Sequence, residues 1–339
     1  MQPYPEYFRL LPQEVRDIVK EAGIVGLGGA AFPTQVKLTP PKDKVIDLVI
    51  INGCECGPYL TNDYRLMLEF PRDIIDGLKI IMRTVNAPKG LIAIESNKPL
   101  AIEKMRQEVN KNPNIKVVVL KTKYPQGAEK QLANAITGQE IPPGGLPWDV
   151  RCAIYNISTA LAIREAVVKG YPLIERVITV TGNGIKTPGN VKVRIGTLVS
   201  EVVEQCGGYR GEVAKIILGG PMMGLSQSTD QVPVIKGTSG ILVLTKDEVD
   251  IREEGPCIKC ARCIDVCPVR LAPTTIALYA RHRIWDRTEQ YNVSDCMECG
   301  SCAYICPAKI PLVKYMKDAK SQVVLRQKRK AALKKGKNK

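Results

Sequence analysis

The 339 residues predict an α/β protein in three parts: a Rossmann-like domain with a parallel sheet, a β-grasp α+β module, and an α-helical, cysteine-rich domain. Three observations predict it. Strand-like apolar runs alternate with helical periodicity through the first half, the pattern of a parallel sheet covered on both faces. Residues 176–218 then read as two strands, a helix and a returning strand. Last, one cysteine phrase is written twice, at 257–268 and 296–307.

Taken in order, residues 12–22 place Val15, Ile18 and Val19 at helical spacing, and Gly23 ends the helix. The stretch GLGGAAFPTQVK at 26–37 follows. Its small residues let backbone N–H groups approach a phosphate or a flat ring, and Lys37 adds a positive charge. It is no dinucleotide fingerprint, because a helix rather than a strand precedes it, and GxxxxGK[ST] is absent. Strands are expected at 45–51, 90–95 and 115–120, with helices around 70–84, 99–110 and 154–169. A second domain begins near 171 and ends near Thr245, where KDEVDIREEG leads into the first cysteines.

Each phrase reads CxxCxxCxxxCP. Three thiolates at two-residue gaps wrap three irons of a cubane, and in paired sites the last cysteine of each phrase ligates the other cluster. Two [4Fe-4S] clusters are therefore expected, one on Cys257, Cys260, Cys263 and Cys306, the other on Cys296, Cys299, Cys302 and Cys267. Zinc takes four ligands per ion and has no use for a third cysteine at the same spacing. Residues 271–285 read as helix and carry the lone histidine, His282, expected at the surface. Cys54 and Cys56 are expected to line a pocket, and Cys152 and Cys206 to be ordinary buried thiols.

No run of 18 apolar residues occurs and the N-terminus lacks a secretory pattern, so a cytosolic, reducing location is expected. The net charge is +15, and roughly half of it sits in 326–339, which holds eight Lys or Arg and no acid. A solvated, disordered end is expected there, with attraction to anionic lipid or an acidic partner as the sharper reading. No nucleic-acid-binding motif appears, and nucleic acid is not expected as a partner.

GLGGAAFPTQVK, INGCECGPYLTNDYRLM (51–67), YPQGAEKQLANAITG (124–138) and CAIYNISTALAI (152–163) resemble the flavin-binding subunit of respiratory complex I. With the β-grasp module and two cluster phrases behind them, they are still more similar to the C-subunit family of the Rnf complex, which couples ferredoxin and NAD redox chemistry to ion pumping. The resemblance implies an FMN cradle of Gly26, Gly28, Gly29, Phe32, Lys37, Asn52, Glu55, Tyr124, Gly127, Glu129, Asn156 and Thr159. It implies NAD(H) as substrate, with Phe32 and Glu129 positioning the nicotinamide. It departs from complex I at Leu27, Ala31 and Ala128, and from both families at Gly57. The family's extra N-terminal region is expected to be missing here.

The implied domains are an N-terminal helix (1–22), an FMN and NADH domain (23–170), an SLBB-like β-grasp module (171–245), a two-cluster ferredoxin domain (246–318) and a basic tail (319–339). A flavin joins two-electron hydride chemistry to one-electron clusters. The expected role is thus an NADH/ferredoxin oxidoreductase subunit, peripheral on the cytoplasmic side of the membrane. Its expected partners are an iron-sulfur subunit and integral membrane subunits. The rival expectations are a soluble flavin and iron-sulfur reductase serving an acceptor such as a corrinoid, and a wiring module without NADH turnover.

Overall fold

A computed structural model describes residues 1–337. The chain divides into two compact units, Met1–Ile141 with Leu146–Val249, and Pro142–Gly145 with the chain from Asp250 onward. In the first unit, α1 (Pro12–Glu21) starts where the Glu14 carboxylate accepts the Leu11 N–H at 2.6 Å. It buries Val15 and Val19, one turn apart on one face. A short α2 (Thr34–Lys37) closes the glycine-rich loop.

The sheet is built from β1 (Leu48–Gly53), β2 (Lys89–Glu95), β3 (Ile115–Leu120) and β4 (Cys152–Asn156), in the order β3-β2-β1-β4 and all parallel. Between them run α3 (Asn62–Glu69), α4 (Pro71–Thr84), α5 (Pro99–Val109) and α6 (Glu129–Thr137), and α7 (Ile157–Lys169) follows β4. Both faces are covered because successive strand residues point to opposite sides. Val49 and Ile51 join the core beneath α4, α5 and α7, while Ile50 joins Leu132 and Ala133 of α6 on the other face. Each such side chain contributes about 1.5–3 kcal/mol on burial.

The sequence expectation needs correcting at three places. β1 begins at Leu48, three residues late. The expected helix at 154–169 begins at Ile157, because Cys152–Asn156 is a strand; it is buried on both faces, and such a run has no period to separate it from a buried helix. α3 begins inside the motif 51–67 and runs on to Glu69, where no helix is expected from sequence.

The same unit holds a second core and a second sheet. β5 (Glu175–Thr181), β6 (Gly189–Arg194), β7 (Val213–Leu218), β8 (Leu225–Gln227) and β9 (Gly240–Thr245) lie in the order β6-β5-β9-β7-β8, with α8 (Val199–Gln205) packed on them. The β5–β9 pair is parallel and the other pairs are antiparallel, which is the β-grasp arrangement.

The second unit is helical among its described residues: α9 (Arg262–Asp265), α10 (Pro273–Arg281), α11 (Trp285–Gln290), α12 (Ser301–Ile305) and α13 (Leu312–Lys337). His282 is exposed at the end of α10. The expectation of a disordered tail from 319 is also corrected. α13 continues through it to Lys337, and Met316, Ala319 and Val323 form a buried stripe under a charge-rich sequence. Asn338 and Lys339 lie outside the described residues.

Candidate functional site

The strand order reverses at β1, with β2 on one side and β4 on the other, and ligands of open parallel sheets bind beyond the carboxyl ends of strands at such a point. Asn52 and Asn156 stand at those ends. Leu27 is one anchor of the glycine-rich loop. Leu27 donates its N–H to Thr159 Oγ1 at 2.9 Å, and its carbonyl accepts from Arg176 Nη2 at 3.1 Å. Gly26 closes the loop on the Phe32 carbonyl at 2.7 Å. Gly28 lies against Asn156, and Gly29, at φ +113°, has open space where a Cβ would stand. Phe32 is half exposed.

Beneath the loop is a buried polar layer. Asp63 accepts from Asn156 Nδ2 at 2.6 Å and from the Ser158 hydroxyl at 2.7 Å. Glu55 accepts the N–H groups of Asp63 and Tyr64 at 2.6 and 3.1 Å, so its carboxylate sits at the N-terminus of α3, where the helix dipole favours an anion. Burial, and then the Asp63 charge, hold the Glu55 carboxyl well above the usual carboxylate range. Burial also raises Asp63, against the pull of its bonds to Ser158 and Asn156 and of the Arg176 charge. Arg176, buried on β5, is pulled down to about 10 by burial, with Asp63 acting the other way.

Asn52 Nδ2 donates to the Gly127 carbonyl at 2.7 Å, and Gly127 donates its N–H to Cys56 Sγ at 3.3 Å. A Cβ at Gly127 would stand 3.3 Å from the Cys54 Cβ and 3.4 Å from Cys56 Sγ, so a side chain there would press on both cysteines. Tyr124 precedes a cis bond to Pro125. Lys37 pairs with the Glu129 carboxylate, and its ammonium lies 5.3 Å from the Tyr155 ring centroid. The buried side chains of Gln126 and Thr34 leave Nε2 and Oγ1 without hydrogen-bond partners.

In the second unit the two cysteine phrases share one backbone. Lys259 and Glu298, each two residues past a first cysteine, both sit at φ +56°, and Ala261 and Gly300 both follow at positive φ. These turns aim N–H groups at sulfur, as where Glu298 donates to Cys296 Sγ at 3.3 Å. Cys267, Cys296, Cys299 and Cys302 line a single pocket. Burial, followed by Cys296, Cys299 and Cys267, pushes the Cys302 thiol up to about 12. Cys263 is raised by burial and then by Cys306 and Cys257. Cys257 and Cys260 are exposed, whereas Cys299, Cys302 and Cys306 are buried. No three His, Cys, Asp or Glu among the described residues converge on a point as ligands of a single ion would; a cubane spreads its thiolates around irons and sulfides instead.

Comparison with known proteins finds a Nuo51 FMN-binding domain at residues 19–165, an SLBB domain at 177–226 and a 4Fe-4S dicluster domain at 246–310. The C subunit of the proton-translocating ferredoxin:NAD(+) oxidoreductase complex of Clostridium ljungdahlii is 50% identical over 311 residues, 91% of this chain and 68% of that protein. The C subunit of the Na(+)-translocating ferredoxin:NAD(+) oxidoreductase complex of Acetobacterium woodii is 47% identical over 324 residues, 96% of this chain and 73% of the relative. This chain belongs to the C-subunit family of these complexes.

Another family member, the C subunit of the ion-translocating oxidoreductase complex of Rhodobacter capsulatus, is 46% identical over 94% of this chain and 62% of its own length. The chain thus spans about two thirds of these relatives. Beyond the C-subunit family, an NAD+-reducing [NiFe]-hydrogenase chain in the H2-reduced state shares the fold, at TM-score 0.61 and 17% identity over 95% of this chain and 65% of that one. In this member of the family no described helix is long and apolar enough to cross a membrane.

The structure brings together several of the residues singled out from sequence. Gly28 lies by Asn156, Thr159 bonds the loop, Asn52 meets Gly127, and Lys37 meets Glu129. Glu55 is engaged instead by the backbone of α3. Sequence reasoning missed Asp63, Arg176, Gln126 and Thr34. Asp63, Gln126 and Thr34 lie inside quoted motifs and were open to notice; Arg176 carries no local signal, since only the packing of the β-grasp module on the loop makes it important.

Proposed function

We propose that this chain is the peripheral electron-transfer subunit of an Rnf-type complex on the cytoplasmic side of the membrane. It exchanges hydride with NAD(H) at FMN and passes single electrons through two [4Fe-4S] clusters to an iron-sulfur subunit and integral membrane subunits, which translocate ions. The names of the relatives support the complex and its reaction. The observation that carries the reading is Cys267 of the first phrase standing in one pocket with Cys296, Cys299 and Cys302 of the second. That interleaving suits two clusters held close together, and a close pair conducts.

The FMN cradle is assigned to Gly26, Gly28, Gly29, Phe32, Lys37, Asn52, Glu55, Tyr124, Gly127, Glu129, Asn156 and Thr159. Bound FMN supplies the change between hydride and single-electron transfer. The chain supplies shape and charge. Gly29 leaves room for a flat ring, and the unpartnered Gln126 amide offers it a donor. Phe32, half exposed, and Glu129, held by Lys37, position the nicotinamide. Glu55 acts through the helix it caps. The remaining thiols Cys257, Cys260, Cys263 and Cys306 hold the other cluster.

Anaerobic purification followed by metal and flavin counting tests this. About eight irons and one FMN per chain are expected, with NADH bleaching the flavin. FMN without bleaching would favour the wiring module, and zinc in place of iron would end the proposal.

A further inference from the structure

We propose that Lys320 sets the reduction potential of the cluster held by Cys296, Cys299, Cys302 and Cys267, raising it above the value those thiolates alone would give. This rests on the reading that these four thiols hold a [4Fe-4S] cluster. Lys320 lies on α13, beyond the point where the sequence reads as a solvated tail. Its ammonium donates to the Cys296 carbonyl at 2.8 Å and to the Glu298 carboxylate at 3.1 Å. Two acceptors on the ligand turn therefore fix the charge beside Cys296, and it cannot swing away as a free lysine would.

Its position in the fold is equally fixed. Ala319, its neighbour, and Val323, one turn on, are fully buried in the core that Cys296 packs against. The Lys320 side chain is 32% accessible, so water screens its field only in part. Reduction adds one negative charge to a cluster, and net charge and hydrogen bonding near the sulfurs are among the factors that set its potential. A fixed cation favours the reduced form. Glu298 acts with the opposite sign from the same turn, so the two residues form a paired control. The first phrase is built differently: Lys259 stands at the position of Glu298 and is exposed, where water screens it.

The test is an EPR-monitored redox titration of the full chain, purified without oxygen, as wild type, Lys320→Met, Lys320→Arg and Glu298→Gln. Lys320→Met should shift one of the two cluster potentials to more negative values and leave the other unchanged. Lys320→Arg should restore it. Glu298→Gln should move the same cluster in the positive direction, a reversal that general loosening of the site would not produce. Unchanged potentials in Lys320→Met, with both clusters present, would overturn the proposal and leave the cluster assignment standing. If Lys320→Met fails to assemble its cluster, Lys320→Gln, neutral but still a hydrogen-bond donor, decides: a negative shift supports the proposal and no shift overturns it. Wild-type protein with fewer than two clusters would remove the assignment itself, and the proposal with it.

Discussion

The Thr159 hydroxyl accepts the Leu27 N–H at 2.9 Å, tying the glycine-rich loop to the first turn of the helix that follows β4. Both residues are buried. Thr159→Val would strand that N–H away from water, at a cost of about 1–3 kcal/mol. Loss of the bond is expected to lower the urea midpoint of the first unit. It should also weaken FMN binding by about tenfold for each 1.4 kcal/mol that falls on the loop rather than on the core. Thr159→Ser should behave as wild type, and equal FMN affinity in the valine variant would show that the loop needs no such anchor.

Crossed ligation makes a prediction about pairs of cysteines. Cys267→Ala and Cys299→Ala should each lower iron from about eight to about four per chain, and the double variant should keep about four, because both residues serve the same cluster. Cys267→Ala combined with Cys260→Ala should lose both clusters. Iron counts in the reverse order would mean that each phrase fills its own site.

The buried carboxyls give the stability of the first unit a pH signature. Asp63 is raised by burial, and Glu55 by burial and then by the Asp63 charge. The native chain therefore keeps protons that the unfolded chain gives up from about pH 4, the ordinary carboxylate range. Between that value and the raised native values the native state binds more protons, and stability falls as pH rises. Asp63→Asn removes one such group and relieves Glu55. Urea midpoints taken across pH should show the stability of wild type relative to the variant falling as pH rises from about 4, then levelling. A rising difference would mean that Asp63 is ionised favourably in the fold.

Gly77 lets α4 lie close against α7, where a Cβ would overlap the Ala160 carbonyl. Overpacking of this kind costs about 1–3 kcal/mol, occasionally more. Gly77→Ala should lower the melting temperature of the first unit while iron content stays at the wild-type count. Calorimetry with iron analysis checks both, and an unchanged melt would show that the helices can part without penalty.

Much of this protein was legible as pattern. Val15 and Val19 announce α1, the run at 115–120 marks β3 to the residue, and the repeated phrase marks eight thiols. Patterns failed where burial hid them. Cys152–Asn156 carries no period because both of its faces are covered, and Met316, Ala319 and Val323 were masked by the lysines and arginines around them. The site divided in the same way. Gly127 and Lys37 stood in recognisable motifs, whereas Arg176 stood in none.

By itself the sequence determined the elements and the ligand chemistry, because helix and strand periods, turn residues and cysteine spacing are local properties of a chain. Tertiary structure alone decided which distant groups meet: Arg176 with the Leu27 carbonyl, Asp63 with Asn156, Lys320 with Cys296. Those contacts depend on how whole elements pack, and the free energy that selects one packing is summed over both partners, so no single stretch of sequence carries it.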